Sequence, residues 1–129
     1  MKKLFNLSLL IIMALSLISC SETSKEDIKE LYYDASSLVD ELGGTTAFSD
    51  KEVFRELQEE ADDFKEEVNK VRGHEEIKSK FLDIYDNINK SCKYSIDMDI
   101  NSEDDNWNSS VEHYEKASDI LEEVNKLLE

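Results

Sequence analysis

The sequence contains no proline, and its 129 residues include only three glycines and two cysteines. Without proline no position forbids a helix, and glycine interrupts the chain only at Gly43-Gly44 and Gly73. Two cysteines are too few for a disulfide-rich scaffold. Because Glu, Lys, Leu and Asp dominate the remainder, these absences predict an all-α protein.

Basic residues are also scarce. The chain has 15 Lys and Arg against 31 Asp and Glu, a formal charge of −16. Nucleic acid is therefore not an expected partner, because its phosphates require a basic surface. Such a charge attracts basic proteins, cationic peptides and metal cations, although it also serves simply to keep a domain soluble.

The N-terminus combines a short cationic stretch with an apolar run. Met1-Lys2-Lys3 precedes the mostly apolar segment 4–18, the arrangement of a secretory signal. At ~1.5 Å per residue, about fifteen residues of helix reach ~22 Å, which is less than the ~30 Å hydrocarbon core of a bilayer. The pattern favours a cleaved signal over a permanent transmembrane helix.

The segment ends with Leu17-Ile18-Ser19-Cys20, which resembles the lipobox of bacterial lipoproteins. The resemblance covers residues 1–20 and implies cleavage before Cys20 and attachment of a diacylglycerol to its sulfur. Two or more acyl chains would give stable anchoring in a membrane. Ser21, in place of the Asp that retains such proteins at the inner membrane, implies the outer membrane of a two-membrane bacterium. In a bacterium with one membrane, the resemblance implies the outer face of the cell membrane.

These features predict three segments: a signal peptide at 1–19, a lipidated cysteine with a short tether at 20–24, and an acidic helical bundle at 25–129. Without the signal the chain has 13 basic and 31 acidic residues, a charge of −18. Its length suits one domain. Since anionic headgroups repel this charge, we expect the membrane attachment of the cell-envelope protein to depend on its lipid.

Apolar residues at helical spacing predict four helices, at 25–42, 49–73, 75–94 and 107–128. Ser24 is expected to cap the first, and Gly43-Gly44 to end it in a left-handed conformation. Ser49 and Glu52 resemble a capping box for the second, with Phe48 packed on Val53. Matched lengths and short connections predict an antiparallel four-helix bundle. The alternative is a three-helix bundle with the first helix as a stalk.

No catalytic motif is evident in the sequence. His74 and His113 match neither H-E-x-x-H nor Glu-x-x-His and are expected to be exposed polar residues, while Cys92 is expected to be buried on a helix. We therefore expect no enzymatic activity.

The acidic segment after the third helix contains a fragment of a calcium-binding pattern. Asp97, Asp99 and Asn101 match the D-x-D-x-N opening of an EF-hand loop, whose oxygen ligands suit a hard cation. The remaining positions of the loop do not fit. Ser102 replaces the turn glycine, and Asn108 replaces the closing glutamate. The segment is expected to be a solvated linker or at most a weak calcium site, and no other cofactor is expected.

Three aromatic residues lie off the apolar stripes and are candidates for a partner-binding surface: Tyr33, Tyr94 and Trp107. For Trp107 the alternative is a partly buried cap over the end of the bundle. The leading hypothesis is a membrane-anchored lipoprotein whose acidic helical domain binds a basic protein or peptide at the cell envelope. The alternatives are a weak calcium-responsive envelope protein and a structural spacer without a specific ligand. The sequence does not specify an oligomeric state.

Overall fold

The computed structural model describes residues 21–102 and 105–129, which form four α-helices and, within these ranges, no strand. The helices are α1 (Lys25–Gly43), α2 (Lys51–Asn69), α3 (Glu75–Asp97) and α4 (Asn106–Leu128). The predicted all-α fold is confirmed. Within these two ranges no helix is both long enough and apolar enough to cross a bilayer. The predicted signal peptide and Cys20 lie outside the described residues.

The two ends of α1 differ in how well the sequence predicted them. Ser24 is the N-cap, and its Oγ accepts a hydrogen bond from the Asp27 amide at 3.2 Å, as expected. The predicted left-handed ending is wrong, because Gly44 has φ −80° and ψ −8°. Instead, the Thr45 hydroxyl donates to the Leu42 carbonyl at 2.6 Å and satisfies one of the terminal acceptors.

The start of α2 lies one residue later than the predicted capping box. Asp50 is the N-cap, and its carboxylate accepts from the Glu52 amide at 3.1 Å. Asp caps a helix as well as Ser does, so sequence alone did not separate Asp50 from its neighbour. The predicted packing of Phe48 on Val53 is wrong, since 83% and 40% of their surfaces are exposed. Phe54 takes the core position and is 1% exposed.

The turn between α2 and α3 contains two consecutive residues in the left-handed region. Gly73 has φ +70° and His74 has φ +50°, and α2 already ends at Asn69 rather than at the predicted Gly73. A side chain at position 73 would also meet Glu22, because an ideal Cβ there lies 2.8 Å from the Glu22 Cγ. The left-handed backbone therefore favours glycine at this position, and the flexible Glu22 side chain would have to move aside for a larger residue.

α3 continues three residues beyond the predicted end at Tyr94, because buried serines link it to α4. The Ser91 Oγ donates to the Ser110 carbonyl at 2.8 Å, and the Ser110 Oγ donates to the Ser91 carbonyl at 2.9 Å. The Ser95 and Ser110 hydroxyl oxygens are 2.6 Å apart. Serine favours turns in an isolated chain, but here contacts with another helix satisfy its hydroxyl and the helix continues.

The packing of the helices confirms the antiparallel four-helix bundle. Asp62 on α2 pairs with Tyr85 on α3, while Gln58, earlier on α2, pairs with Asn89, later on α3. α1 contacts both α2 and α4, which closes the bundle. The alternative of a separate stalk is wrong, because α1 buries six side chains: Ile28, Leu31, Ala35, Leu38, Val39 and Leu42. Cys92 is fully buried as predicted, and burial raises the pKa of its thiol to about 12.

Candidate functional site

The negative charge of the bundle is unevenly distributed. α1 and α2 together carry 14 acidic and 5 basic side chains, a net charge of −9, whereas α3 and α4 carry 10 and 6, a net charge of −4. α1 and α2 pack side by side, and we call their shared outer surface the α1–α2 face. Because this pair of helices carries more than twice the net negative charge of the other pair, it attracts a cationic partner more strongly.

Acidic groups from the two helices repel one another along the α1–α2 face. Burial, followed by repulsion from Glu30 and Glu67, raises the pKa of Asp34 from 3.8 to about 7. Burial also raises the pKa of Glu67, although its ion pair with Lys70, at 3.3 Å, opposes this effect. The ionised forms of these two carboxyl groups are therefore disfavoured, mainly by burial and in part by repulsion between neighbouring acidic groups.

An open groove of about 290 Å³ lies at the end of the α1–α2 face, where the two helices are joined by their loop. Glu41 of α1 and both Glu56 and Glu60 of α2 supply three carboxylates to its lining. Its apolar surface comes mainly from Val53, which is 40% exposed, because Leu57 is buried in the core. Burial and repulsion from Glu60 raise the pKa of Glu41, so the two helices also repel each other here.

The loop that closes this groove is held by its own hydrogen bonds. The Ser49 hydroxyl accepts from the Thr46 amide at 2.9 Å, and the Thr46 hydroxyl accepts from the Phe48 amide at 3.2 Å. The Ser49 amide in turn donates to the Thr46 carbonyl at 3.0 Å. These bonds form a compact turn in which Ser49 lines the groove, while the Phe48 ring is exposed.

At the opposite end of the bundle, the predicted tether is bound to the α2–α3 turn. The Thr23 amide donates to the Arg72 carbonyl at 2.9 Å, and the Arg72 amide donates to the Thr23 Oγ1 at 2.8 Å. The His74 Nε2 lies 2.7 Å from the Thr23 carbonyl oxygen. The segment 20–24 was expected to act as a tether along its whole length, but its end is part of the folded bundle.

The three aromatic candidates lie in different environments. Tyr33 is 66% exposed on α1, and its ring meets that of Tyr32 edge to face at 5.6 Å. Tyr94 on α3 is half-buried and stacks on His113 of α4 at 5.7 Å. Trp107 packs against the core at the start of α4 and is partly buried, as the alternative for this residue predicted. Of the three, only Tyr33 is largely exposed.

The two histidines are not the exposed residues that the sequence predicted. Both are half-buried, and each has a hydrogen-bonding partner. The His113 Nδ1 lies 2.8 Å from the Asn87 Oδ1, and burial followed by the charges of Lys116 and Lys90 lowers its pKa. The His74 ring contacts the Thr23 carbonyl of the tether. Both histidines therefore have structural contacts that account for their positions.

The three calcium candidates do not lie on one loop, since Asp97 is the last residue of α3. The Asp99 carboxylate accepts a hydrogen bond from the Asn101 amide at 2.9 Å, which forms a local turn. Within residues 21–102 and 105–129, no group of three or more His, Cys, Asp or Glu side chains is arranged to hold a metal ion. Calcium binding by this segment stays a prediction.

The groove was not predicted from the sequence because its residues are distant along the chain. Glu41 and Glu60 belong to different helices, and only antiparallel pairing brings them to the same level of the bundle. One signal could have found it. In an antiparallel pair of helices, facing residues have numbers with a constant sum, and Glu41 with Glu60 and Asp34 with Glu67 both satisfy this relation.

No protein-family model, no curated protein and no solved structure matches the chain.

Proposed function

We propose that this chain is a bacterial lipoprotein, anchored to a membrane of the cell envelope through lipid on Cys20, whose α1–α2 face binds a basic protein or peptide. The observation that carries the proposal is the concentration of charge, −9 on two adjacent helices. If the acidic residues only kept the domain soluble, there would be no reason for one pair of helices to carry most of the net negative charge of the bundle. A steering surface for a cationic partner does require such a concentration.

The attachment of Thr23 to the α2–α3 turn supports a defined orientation at the membrane. Only Ser21 and Glu22 separate Thr23 from the proposed lipidated cysteine, a reach of about 10 Å at ~3.4 Å per residue. The α2–α3 end of the bundle then stands nearest the bilayer. α1 has 19 residues and a length of ~28 Å, so the groove at its far end faces away from the membrane.

Partner capture at two salt concentrations tests the binding function. The full-length protein, held in nanodiscs of zwitterionic lipid, is incubated with envelope extract of its own cell and with extract of host tissue. Basic partners are expected to bind at low salt and to be released at about 1 M salt, where the Debye length falls to ~3 Å. A protein that retains no partner in a salt-sensitive manner would instead favour a structural spacer.

Replacement of the proposed lipid-bearing residue tests the anchor. Cys20→Ser is expected to leave an unprocessed precursor without the diacylglycerol mass, which mass spectrometry of the membrane fraction detects. Cys92→Ser is the matched control, because it removes the other thiol and should leave processing unchanged. Normal processing and normal lipid content in Cys20→Ser would refute the proposed attachment.

A further inference from the structure

We propose that the tips of two loops at one end of the bundle, Phe48 and Ile100, form the apolar part of a docking surface for a basic amphipathic segment of the partner protein. The inference rests on the proposed binding function and deepens it by naming the surface and the kind of segment that it fits. The topology brings the two loops together, and hydrogen bonds within each loop fix its tip.

The antiparallel topology places both loops at the same end of the bundle. The segment 44–50 joins α1 to α2, and the segment 98–105 joins α3 to α4. Because consecutive helices run in opposite directions, the two loops cover neighbouring halves of one end. Packed helices are separated by about 8–10 Å, so the loops lie roughly this far apart.

The first loop contains a β-turn with an aromatic residue at its tip. The Ser49 amide donates to the Thr46 carbonyl at 3.0 Å, and Phe48 is the third of the four residues. The Phe48 amide donates to the Thr46 hydroxyl at 3.2 Å, which fixes the backbone of the tip. Glycine and short polar residues usually occupy such positions, yet here a phenylalanine has 83% of its surface exposed.

The second loop has the same construction. The Ser102 amide donates to the Asp99 carbonyl at 3.1 Å, and the Asn101 amide donates to the Asp99 carboxylate at 2.9 Å. Ile100 is the second residue of this turn and has 61% of its surface exposed, whereas Met98 at the base of the loop is buried. Because both turns are held by their own hydrogen bonds, little conformational entropy is lost when the tips bind.

Exposed large apolar side chains are concentrated at this end. Within residues 21–102 and 105–129 there are five of them, and three are Phe48, Val53 and Ile100. Val53 lies in the first turn of α2, next to the first loop. Single exposed apolar residues are ordinary on a protein surface, but apolar residues grouped among charges mark a contact with another molecule.

The charge of this end selects among the possible occupants. The two loops and the adjoining two turns of each helix, residues 37–57 and 91–112, contain 11 acidic and 3 basic residues. A second copy would bring an equal negative charge against this end, and anionic headgroups would be repelled in the same way. A segment with basic residues on one side and apolar residues on the other complements both the charge and the tips.

Peptide binding to variants of the full-length chain tests the surface. Two fluorescent peptides of alternating lysine and alanine have equal length and charge, and two of their alanines are replaced by leucine in one and by serine in the other. Each is titrated against the protein in zwitterionic nanodiscs, with empty nanodiscs as reference. The tip variant is Phe48→Ser with Ile100→Ser. The control is Leu127→Ser, which removes an exposed apolar side chain at the opposite end.

The unaltered protein is expected to bind the leucine peptide at least about fivefold more tightly than the serine peptide, because apolar side chains are buried between peptide and tips. The tip variant should lose this difference, while its affinity for the serine peptide changes by less than about twofold, since no charge is altered. The control variant should bind both peptides as the unaltered protein does. Equal urea unfolding midpoints check that the exposed substitutions leave the fold intact.

Two results would overturn the tips as a docking surface: equal affinity of the unaltered protein for both peptides, or an unchanged preference for leucine in the tip variant. Salt-sensitive binding of both peptides would still support the proposed function in either case. Failure to bind either peptide at about 1 mM would overturn the inference, and partner capture from extracts would then decide the proposed function separately.

Peptide-free samples examine the other occupants. Nanodiscs that pair with one another only when Phe48 and Ile100 are intact would assign the tips to a second copy. Attachment to added zwitterionic or anionic vesicles with the same requirement would assign them to a membrane. Either result would overturn the peptide partner, and we expect neither.

Discussion

Thr23 and Arg72 are joined by two hydrogen bonds, one from each backbone amide, although they are far apart in the sequence. Thr23 precedes α1, and Arg72 lies in the turn that links α2 to α3. The chain segment next to the proposed lipid is therefore fixed to one end of the bundle. If Cys20 carries the proposed lipid, this connection would hold the α2–α3 end of the bundle near the membrane and leave the opposite end, with the groove, facing away from it.

Removal of the Thr23 hydroxyl should loosen this connection. Thr23→Val keeps the branched shape but removes the acceptor for the Arg72 amide, so unfolding free energy is expected to fall by about 1 kcal/mol. Hydrogen exchange at the Arg72 amide should accelerate at the same time. Thr23→Ser retains the acceptor and should preserve the protection, whereas equal exchange in both variants would show that the hydroxyl bond contributes nothing.

Asp34 should make the bundle less stable as pH rises. Its pKa is about 7 in the folded chain against an ordinary value of 3.8, so between these values the folded state holds a proton that the unfolded state has released. Stability from this group is therefore greatest at low pH and is lost as pH rises through about 7. Because the carboxyl group stays partly solvated, we expect the free energy of unfolding to fall by only about 1 kcal/mol between pH 5 and pH 8. This decrease is smaller than the full shift in the pKa of Asp34 would give.

Asp34→Asn checks this dependence directly. The amide cannot ionise, so urea unfolding should show a clear gain in stability at pH 8 and a smaller gain at pH 5, where only part of the loss has occurred. Asp40→Asn, at an exposed position of the same helix, is the matched control and should alter stability little at either pH. An Asp34→Asn protein that is destabilised at pH 8 would show that the ionised carboxylate has a favourable partner.

The serine contacts between α3 and α4 should be sensitive to loss of one hydroxyl. Ser110→Ala removes the partner of the Ser95 hydroxyl and the bond to the Ser91 carbonyl, all of them buried. A buried polar group without a partner costs about 1–3 kcal/mol, and we expect a decrease of this size in urea unfolding. Ser79→Ala, at an exposed position on α3, should change stability by less than about 0.5 kcal/mol. Similar values for the two variants would refute this role of Ser110.

Residues that repeat at helical spacing were enough to predict the helices and most of the core. Leu57, Ala61, Phe64 and Val68 recur at the spacing of a helix seam, and all four are buried. The buried face of a helix is visible in the spacing of its apolar residues, so this part of the fold can be predicted from the sequence. The end of α3 could not, because Ser95 is helical through its contact with Ser110 on another helix.

The candidate site was harder to predict than the fold. Aromatic residues off the apolar stripes suggested three positions, but Tyr94 and Trp107 pack against neighbouring side chains. Their burial depends on how closely the neighbouring helices approach. The spacing of residues along one helix gives no information on this distance. The side chains near the groove follow the buried seam of α2: Phe54 lies three residues before Leu57 and is buried, which leaves Val53 turned toward solvent.

The central claim is that the α1–α2 face, rather than net charge in general, attracts a basic partner. The most direct measurement is the association rate constant of a fluorescent peptide of alternating lysine and alanine at low ionic strength, for two variants of equal net charge. Three exposed acids outside the groove are neutralised on each side of the bundle: Asp40, Glu59 and Asp63 on α1–α2, and Asp83, Asp86 and Glu115 on α3–α4. We expect the α1–α2 variant to associate at least about threefold more slowly than its counterpart, with the difference disappearing at high salt. Equal rate constants for the two variants would contradict the claim.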